Sequence, residues 1–280
     1  VRVCYRVAGA EDKPVIVLLH GFPSSSHMFR ELIPLLARDF RVIAPDYPGF
    51  GHSDMPSPAA FAYTFDNLAA TIDALLEQLR VRKYILYMHD YGGPVGFRIA
   101  VRHPERVAGL VIQNANAYDE GLSPEVMQVL RPLWKQRTPE TLAPVRGFLT
   151  PESTKLQYTA GAARPEALNP DAWVFDQALL DRPGNADIQL DLLADYGSNV
   201  TRYREWQAYF RRYQPRTLVA WGKGDPFFLA AGAEAYQRDI PDARLVFVDS
   251  GHFALEEHSR TIADEIRRTF GPDAASVNQK

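Results

Sequence analysis

The 280-residue sequence has one cysteine, Cys4, which excludes an internal disulfide and fits a reducing compartment, so a cytoplasmic protein is expected. It has no run of about 18 apolar residues to span a bilayer, and no membrane partner is expected. Basic residues are not in excess: 31 Lys and Arg stand against 34 Asp and Glu, with the signs interspersed, which leaves no stripe for nucleic acid. His27, His89, His103 and His258 are scattered without a metal-ligand spacing, so neither metal nor cofactor is expected. The fragment Gly49-Phe50-Gly51 follows a proline and lacks the third glycine of a dinucleotide fingerprint; it reads as a tight turn held locally by His52 and Asp54. What is there is a chain 46% hydrophobic and 23% charged, able to bury a large core as one domain with an insertion or as two modest ones. Val1 already stands in a strand-like stretch, as it would if a short leader were missing, so no targeting claim is made from the start of the chain.

Apolar runs and helical spacings alternate along the first part. Strands are predicted over 1–7, 15–19, 40–44, 84–87 and 107–113, with helices over 28–36, 67–79 and after Gly93. Such alternation predicts an α/β fold with a mostly parallel sheet covered by helices on both faces. The rhythm stops at about Tyr118 and resumes with the strands 217–221 and 245–248 and a closing helix over 256–270, before a polar, frayed tail from Gly271. The intervening stretch carries helical patterns punctuated by Ser123-Pro124, Thr150-Pro151, Asn169-Pro170 and Arg182-Pro183-Gly184. It is too long for a loop. It predicts a helical cap over 118–214, inserted between core segments 1–117 and 215–280. Most of its aromatic rings are expected in its core.

The chemistry gathers around Met88-His89-Asp90-Tyr91-Gly92-Gly93. A buried strand, a single apex residue and a helix opening on glycines make a nucleophile elbow, which forces the apex side chain out above the sheet. Here the apex is Asp90. A carboxylate at that point attacks carbon and leaves an alkyl ester of the enzyme that water then hydrolyses; serine, the nucleophile of an ordinary esterase, is absent from the apex. Asp90 is also a residue type suited to an N-cap, the plain alternative. Three distant segments favour chemistry. His20-Gly21-Phe22-Pro23 ends the second strand and leaves the Phe22 amide free to join the Tyr91 amide as an oxyanion hole. Asp225 follows the strand 217–221, and His252 follows the strand 245–248, so both fall at carboxyl ends where open α/β sheets build their sites. The order Asp90, Asp225, His252 then reads as nucleophile, orienting acid and base.

With these motifs the chain resembles the aspartate-nucleophile branch of the α/β-hydrolase family, which contains epoxide hydrolases, haloalkane dehalogenases and fluoroacetate dehalogenases. The resemblance implies an α/β-hydrolase fold with an inserted helical cap. The chain departs from that pattern at Met88, where many elbows have a small residue, and at Tyr91 and Phe22, where haloalkane dehalogenases usually carry tryptophan and often asparagine. Tyr91 also replaces the arginine of fluoroacetate dehalogenases. Halide binding would then need a substitute such as the Tyr91 hydroxyl or Trp173. Epoxide hydrolases depend on two cap tyrosines, for which the resemblance points to Tyr196 in Asp195-Tyr196-Gly197-Ser198-Asn199, to Tyr158, and to Tyr203 as a rival for the second. The turn 46–54 and the run Ile112-Gln113-Asn114-Ala115 are similar to one group of dehalogenases. The expectation is an epoxide hydrolase acting with water on a small apolar electrophile. The alternatives are a haloalkane dehalogenase and a non-catalytic binding protein on the same scaffold.

Overall fold

A computed structural model describes residues 1–271; the tail beyond Gly271, expected to fray, lies outside the described residues. In chain order the elements are β1 (Tyr5–Ala8), β2 (Val15–Leu19), α1 (Leu32–Leu36), β3 (Arg41–Pro45), α2 (Phe65–Gln78), β4 (Tyr84–His89), α3 (Gly92–Arg102) and β5 (Val107–Gln113). Then follow α4 (Pro124–Lys135), α5 (Pro139–Val145), α6 (Pro151–Thr159), α7 (Asp171–Leu180), α8 (Asn185–Asp195), α9 (Gly197–Thr201) and α10 (Tyr203–Tyr213). The chain closes with β6 (Thr217–Gly222), α11 (Ala230–Asp239), β7 (Arg244–Val248) and α12 (Leu255–Phe270).

Among the described residues the strands form one sheet in the order β1-β3-β2-β4-β5-β6-β7, parallel except for β1, which runs antiparallel on the edge. The central strand β4 is buried along its whole length, as expected of a continuous apolar run covered on both faces. Its register sets the site. Leu19 lies opposite Met88, His89 opposite Gln113, and Gln113 opposite Ala220, so the loops after β2, β4, β5 and β6 leave the same edge side by side. Met88 is accommodated by the helix it faces: a Cβ on Gly96 of α3 would fall 2.4 Å from the Met88 sulfur. The missing side chain supplies the room that a small residue in the elbow would otherwise provide.

The prolines of the inserted stretch start helices. Pro124, Pro139 and Pro151 open α4, α5 and α6, where the absent amide has no helical partner to lose. Thr138 and Thr150 cap α5 and α6 by accepting from the Thr141 and Ser153 amides. The last helix before β6 packs on the core: α10 lies against α3 and α11, with Trp206 and Phe210 packed on Phe97 and Phe210 on Tyr236. The turn 46–54 is fastened locally as expected, the Gly49 amide donating to the Asp54 carbonyl at 3.0 Å, and Asp46 adds to it by accepting from the Ser26 and His52 amides at 2.7 and 2.9 Å. Among the described residues no helix is long and apolar enough to cross a membrane.

Candidate active site

Asp90 stands at the apex between β4 and α3 with φ of +49°, a left-handed conformation costing about 1–2 kcal/mol for a residue other than glycine. Its own carbonyl accepts from the Gly93 amide at 2.9 Å, and its amide donates to the Asn114 carbonyl at 3.2 Å. The side chain does not act as a simple helix cap. The Phe22 amide, from the neighbouring loop, donates to Asp90 Oδ1 at 2.6 Å, and the Tyr91 amide also lowers the pKa of this carboxylate by hydrogen bonding. The two amides expected to form the oxyanion pair therefore meet on one carboxylate. Gly21 makes this approach possible: a Cβ there would lie 2.3 Å from the Asp90 Cβ and 2.4 Å from Oδ1. His20 holds the same loop, its Nε2 accepting from the Tyr47 amide and its Nδ1 donating to the Gly21 carbonyl. Burial pushes the His20 pKa down to about 4, so the ring is neutral, as this pairing requires.

His252 comes from the loop after β7, and its Nδ1 donates to Asp225 Oδ2 at 2.7 Å. That bond fixes the tautomer and leaves Nε2 available to a water. Asp225 is itself held hard. Oδ2 also accepts from Asn114 Nδ2 at 2.7 Å, and Oδ1 accepts from the Phe227 and Phe228 amides at 2.7 and 3.1 Å. Asn114 is locked in turn, its Oδ1 accepting from the Gly222 amide at 2.9 Å. Burial pulls the His252 pKa down, but the charge and hydrogen bond of Asp225 and the charge of Asp90 outweigh it, and the net shift is upward. Burial raises the Asp90 pKa from 3.8 to about 6; His252 and the two amides oppose the rise, and Asp225 adds to it. A carboxylate and an imidazole with mutually adjusted pKa values, beside two convergent amides, suit nucleophilic attack followed by water activation.

These groups line a cavity of about 70 Å³ whose walls include Leu130, Phe148, Leu193 and Phe228. Two further polar side chains reach it, Gln157 from α6 and Tyr196 from the turn between α8 and α9. Tyr196 is pinned by its neighbours: Asp195 Oδ2 accepts from the Phe65 amide at 2.8 Å, and Asn199 Oδ1 accepts from the buried Arg98 at 2.7 Å. Its hydroxyl is buried beside the Tyr203 hydroxyl, and burial, reinforced by Tyr203 and Asp90, holds its pKa well above the usual 10.

Residues 14–259 match the family described as the alpha/beta hydrolase fold. The chain belongs to the α/β-hydrolase family. It is 45% identical over 273 residues to a protein of Saccharomyces cerevisiae named uncharacterized hydrolase YNR064C, covering 96% of this chain and 93% of that one. It is 30% identical over 269 residues to a cis-3-alkyl-4-alkyloxetan-2-one decarboxylase of Shewanella oneidensis, covering 90% and 80% of the two chains. A haloalkane dehalogenase of Bradyrhizobium diazoefficiens is 41% identical over 108 residues, 39% of this chain and 34% of that one.

Asp90, His252, Phe22, Tyr91 and Tyr196 thus share one cavity, with Asp225 directly behind His252. Three expected residues do not join them. Tyr158 turns to the other side of α6, where its hydroxyl donates to the buried Asp176 and its ring stacks on Phe253 at 3.8 Å. Tyr203 sits at the start of α10, with its hydroxyl accepting from Asn116 at 3.2 Å. Trp173 lies half-buried on α7, with its ring 6.0 Å from Tyr158, away from the cavity lining. Asn114 and Gln157 went unassigned in the sequence. Asn114 carried a usable signal: an asparagine directly after a buried parallel strand, at a position with φ of +45°. Gln157 carried none beyond its place next to Tyr158.

Proposed function

We propose that the protein hydrolyses small, largely apolar epoxides through a covalent ester on Asp90, without a cofactor. The observation that carries this reading is the contact of the Phe22 amide with Asp90 Oδ1, opposite an imidazole held by Asp225. The other carboxylate oxygen attacks a ring carbon, the carbon–oxygen bond breaks, and its electron pair stays on the ring oxygen, which takes a proton from the Tyr196 phenol. His252 next removes a proton from water as the hydroxide adds to the Asp90 carbonyl carbon. The oxyanion forms on Oδ1, where each amide contributes about 3 kcal/mol of stabilisation. Collapse expels the diol, and the proton released in hydrolysis restores the phenol, so one water is consumed.

The indoles favour epoxide over halide. Trp134 Nε1 donates to the Leu193 carbonyl, Trp221 Nε1 to the Phe228 carbonyl, and neither Trp173 nor Trp206 lines the cavity. The Shewanella relative is named for an oxetan-2-one, a strained ring containing oxygen, and the breadth of that likeness supports a ring-oxygen substrate. Dehalogenation is the second reading, favoured by the likeness to the Bradyrhizobium enzyme. Intact mass of a His252→Gln variant separates them. An epoxide adds its whole mass to Asp90, whereas an alkyl halide adds its mass less that of the hydrogen halide. Absence of any adduct, or an adduct on another residue, overturns the assignment.

A further inference from the structure

A second feature of the cavity has no part in the triad. Gln157 is 6% exposed, lines the cavity beside Asp90 and His252, and its Nε2 is buried with no hydrogen-bond partner. An amide donor left unpaired in this way destabilises the fold, so its retention calls for a partner that arrives from outside the chain. The residue cannot turn away to find one. On α6, Thr154 donates to Gln177 Oε1 at 2.6 Å, while Tyr158 is tied to Asp176 and stacked on Phe253. These contacts fix the rotation of α6 about its axis. Gln157 precedes Tyr158 by one residue, about 100° round the helix, and so is directed at the cavity while Tyr158 is directed at α7.

We propose that the Gln157 carboxamide donates to the leaving oxygen of the substrate together with the Tyr196 hydroxyl, as a two-point clamp that strengthens while the ring opens. The clamp rests on the ring-opening reading given above. Tyr196 supplies the proton and Gln157 supplies only a hydrogen bond, since a carboxamide does not give up its proton. Both donors are neutral, and they come from separate segments, α6 and the turn between α8 and α9, over an otherwise apolar cavity, where hydrogen bonds to developing charge are strongest. A substrate must then present one acceptor oxygen to this end of the cavity and apolar carbon to the rest.

The test follows the two half-reactions in single turnover with 1,2-epoxybutane as probe, by acid quench and intact mass. Gln157→Leu is expected to slow ester formation about 10- to 100-fold, the range for a hydrogen bond to a charged group, while decay of the preformed ester changes less than about threefold. Gln157→Tyr, which returns a neutral donor, is expected to recover at least half of the logarithmic loss. Equal slowing of both steps indicates a packing defect and overturns the clamp, as does an unchanged rate of ester formation. If unsubstituted Gln157 protein carrying His252→Gln forms no ester with the epoxide, the ring-opening reading itself fails, and that outcome is distinct from a failure of the clamp.

Discussion

Replacing Asp90, the proposed nucleophile, should stabilise the protein. Asp90 is buried, and its pKa rises from 3.8 to about 6, chiefly because burial penalises the charge. A shift of that size corresponds to about 3 kcal/mol between the two protonation states. The sign follows from linkage. Because the folded pKa exceeds the unfolded one, the folded state holds the proton more tightly; the associated stability is present below 3.8 and is lost as pH rises through about 6. At pH 8 the wild-type protein carries the whole penalty. Asp90→Asn keeps the shape and leaves an oxygen to accept from the Phe22 amide, but it removes the charge and with it the attraction to His252. The expected gain is about 1–3 kcal/mol at pH 8, shrinking towards zero at pH 4. Urea unfolding of both proteins at the two pH values measures it, as a higher midpoint with an unchanged slope. A variant no more stable than wild type at pH 8, or a gain independent of pH, refutes the argument that this carboxylate is held against its solvation preference.

Gly21→Ala should fold yet lose ester formation by at least about 100-fold, because the new Cβ would fall within 2.7 Å of three Asp90 side-chain atoms and displace the carboxylate. Single-turnover intact mass reads the loss and circular dichroism the fold; activity near wild type would mean that the loop yields instead. Tyr158→Phe should cost about 1–3 kcal/mol in urea unfolding by leaving the buried Asp176 without its donor, and unchanged stability would argue against that bond. In the wild-type enzyme kcat/KM should fall as pH drops through about 6, because protonated Asp90 cannot attack. Ester should build up on the same side, because the raised pKa of His252 leaves less neutral base to activate water. Acid-quenched intact mass from pH 5 to 8 follows both steps; ester building up at alkaline pH instead would exclude His252 as the base.

The convergence of Asp90, Asp225 and His252, the proposed triad, was legible because each announces itself locally. Asp90, Asp225 and His252 each follow an apolar run ending in glycine or a turn, and a parallel sheet aligns such ends without further instruction, as the pairing of His89 with Gln113 and of Gln113 with Ala220 illustrates. The Phe22 loop was legible for the same reason. The inserted helices are oriented instead by bonds between residues far apart in the chain. Arg182 donates to the Gly49 and Gly51 carbonyls, and Arg98 reaches Asn199 and Ser198. Nothing in the periodicity of α6 specifies which of Gln157 and Tyr158 such docking will turn inward. Chemical expectation favoured the phenol, but the buried Asp176 on α7 took it. The aromatic stripe of α10, Tyr203, Trp206, Tyr209 and Phe210, suits any apolar neighbour and here meets Phe97 and Tyr236, which its periodicity alone does not specify.

The distribution of satisfied and unsatisfied polar groups separates positioning from chemistry. Asp225 accepts from four donors, and Asn114, which supplies one of them, is anchored to Gly222. Those groups have nothing left to offer a substrate. On the cavity side the balance is reversed: the Tyr91 hydroxyl and Gln157 Nε2 have no partner, the Tyr196 hydroxyl has Tyr203 beside it, and Asp90 has a pKa raised by burial. Buried polar groups left open in this way weaken the fold; others occur away from the cavity, at Tyr84 and His89 for example, but those that line it stand where a substrate oxygen would pair with them. A protein that used this scaffold only to bind an apolar ligand would gain stability by closing them, whereas ring opening makes use of an uncompensated carboxylate and of donors free to follow the charge as it moves onto the leaving oxygen. The open set therefore argues for turnover over recognition.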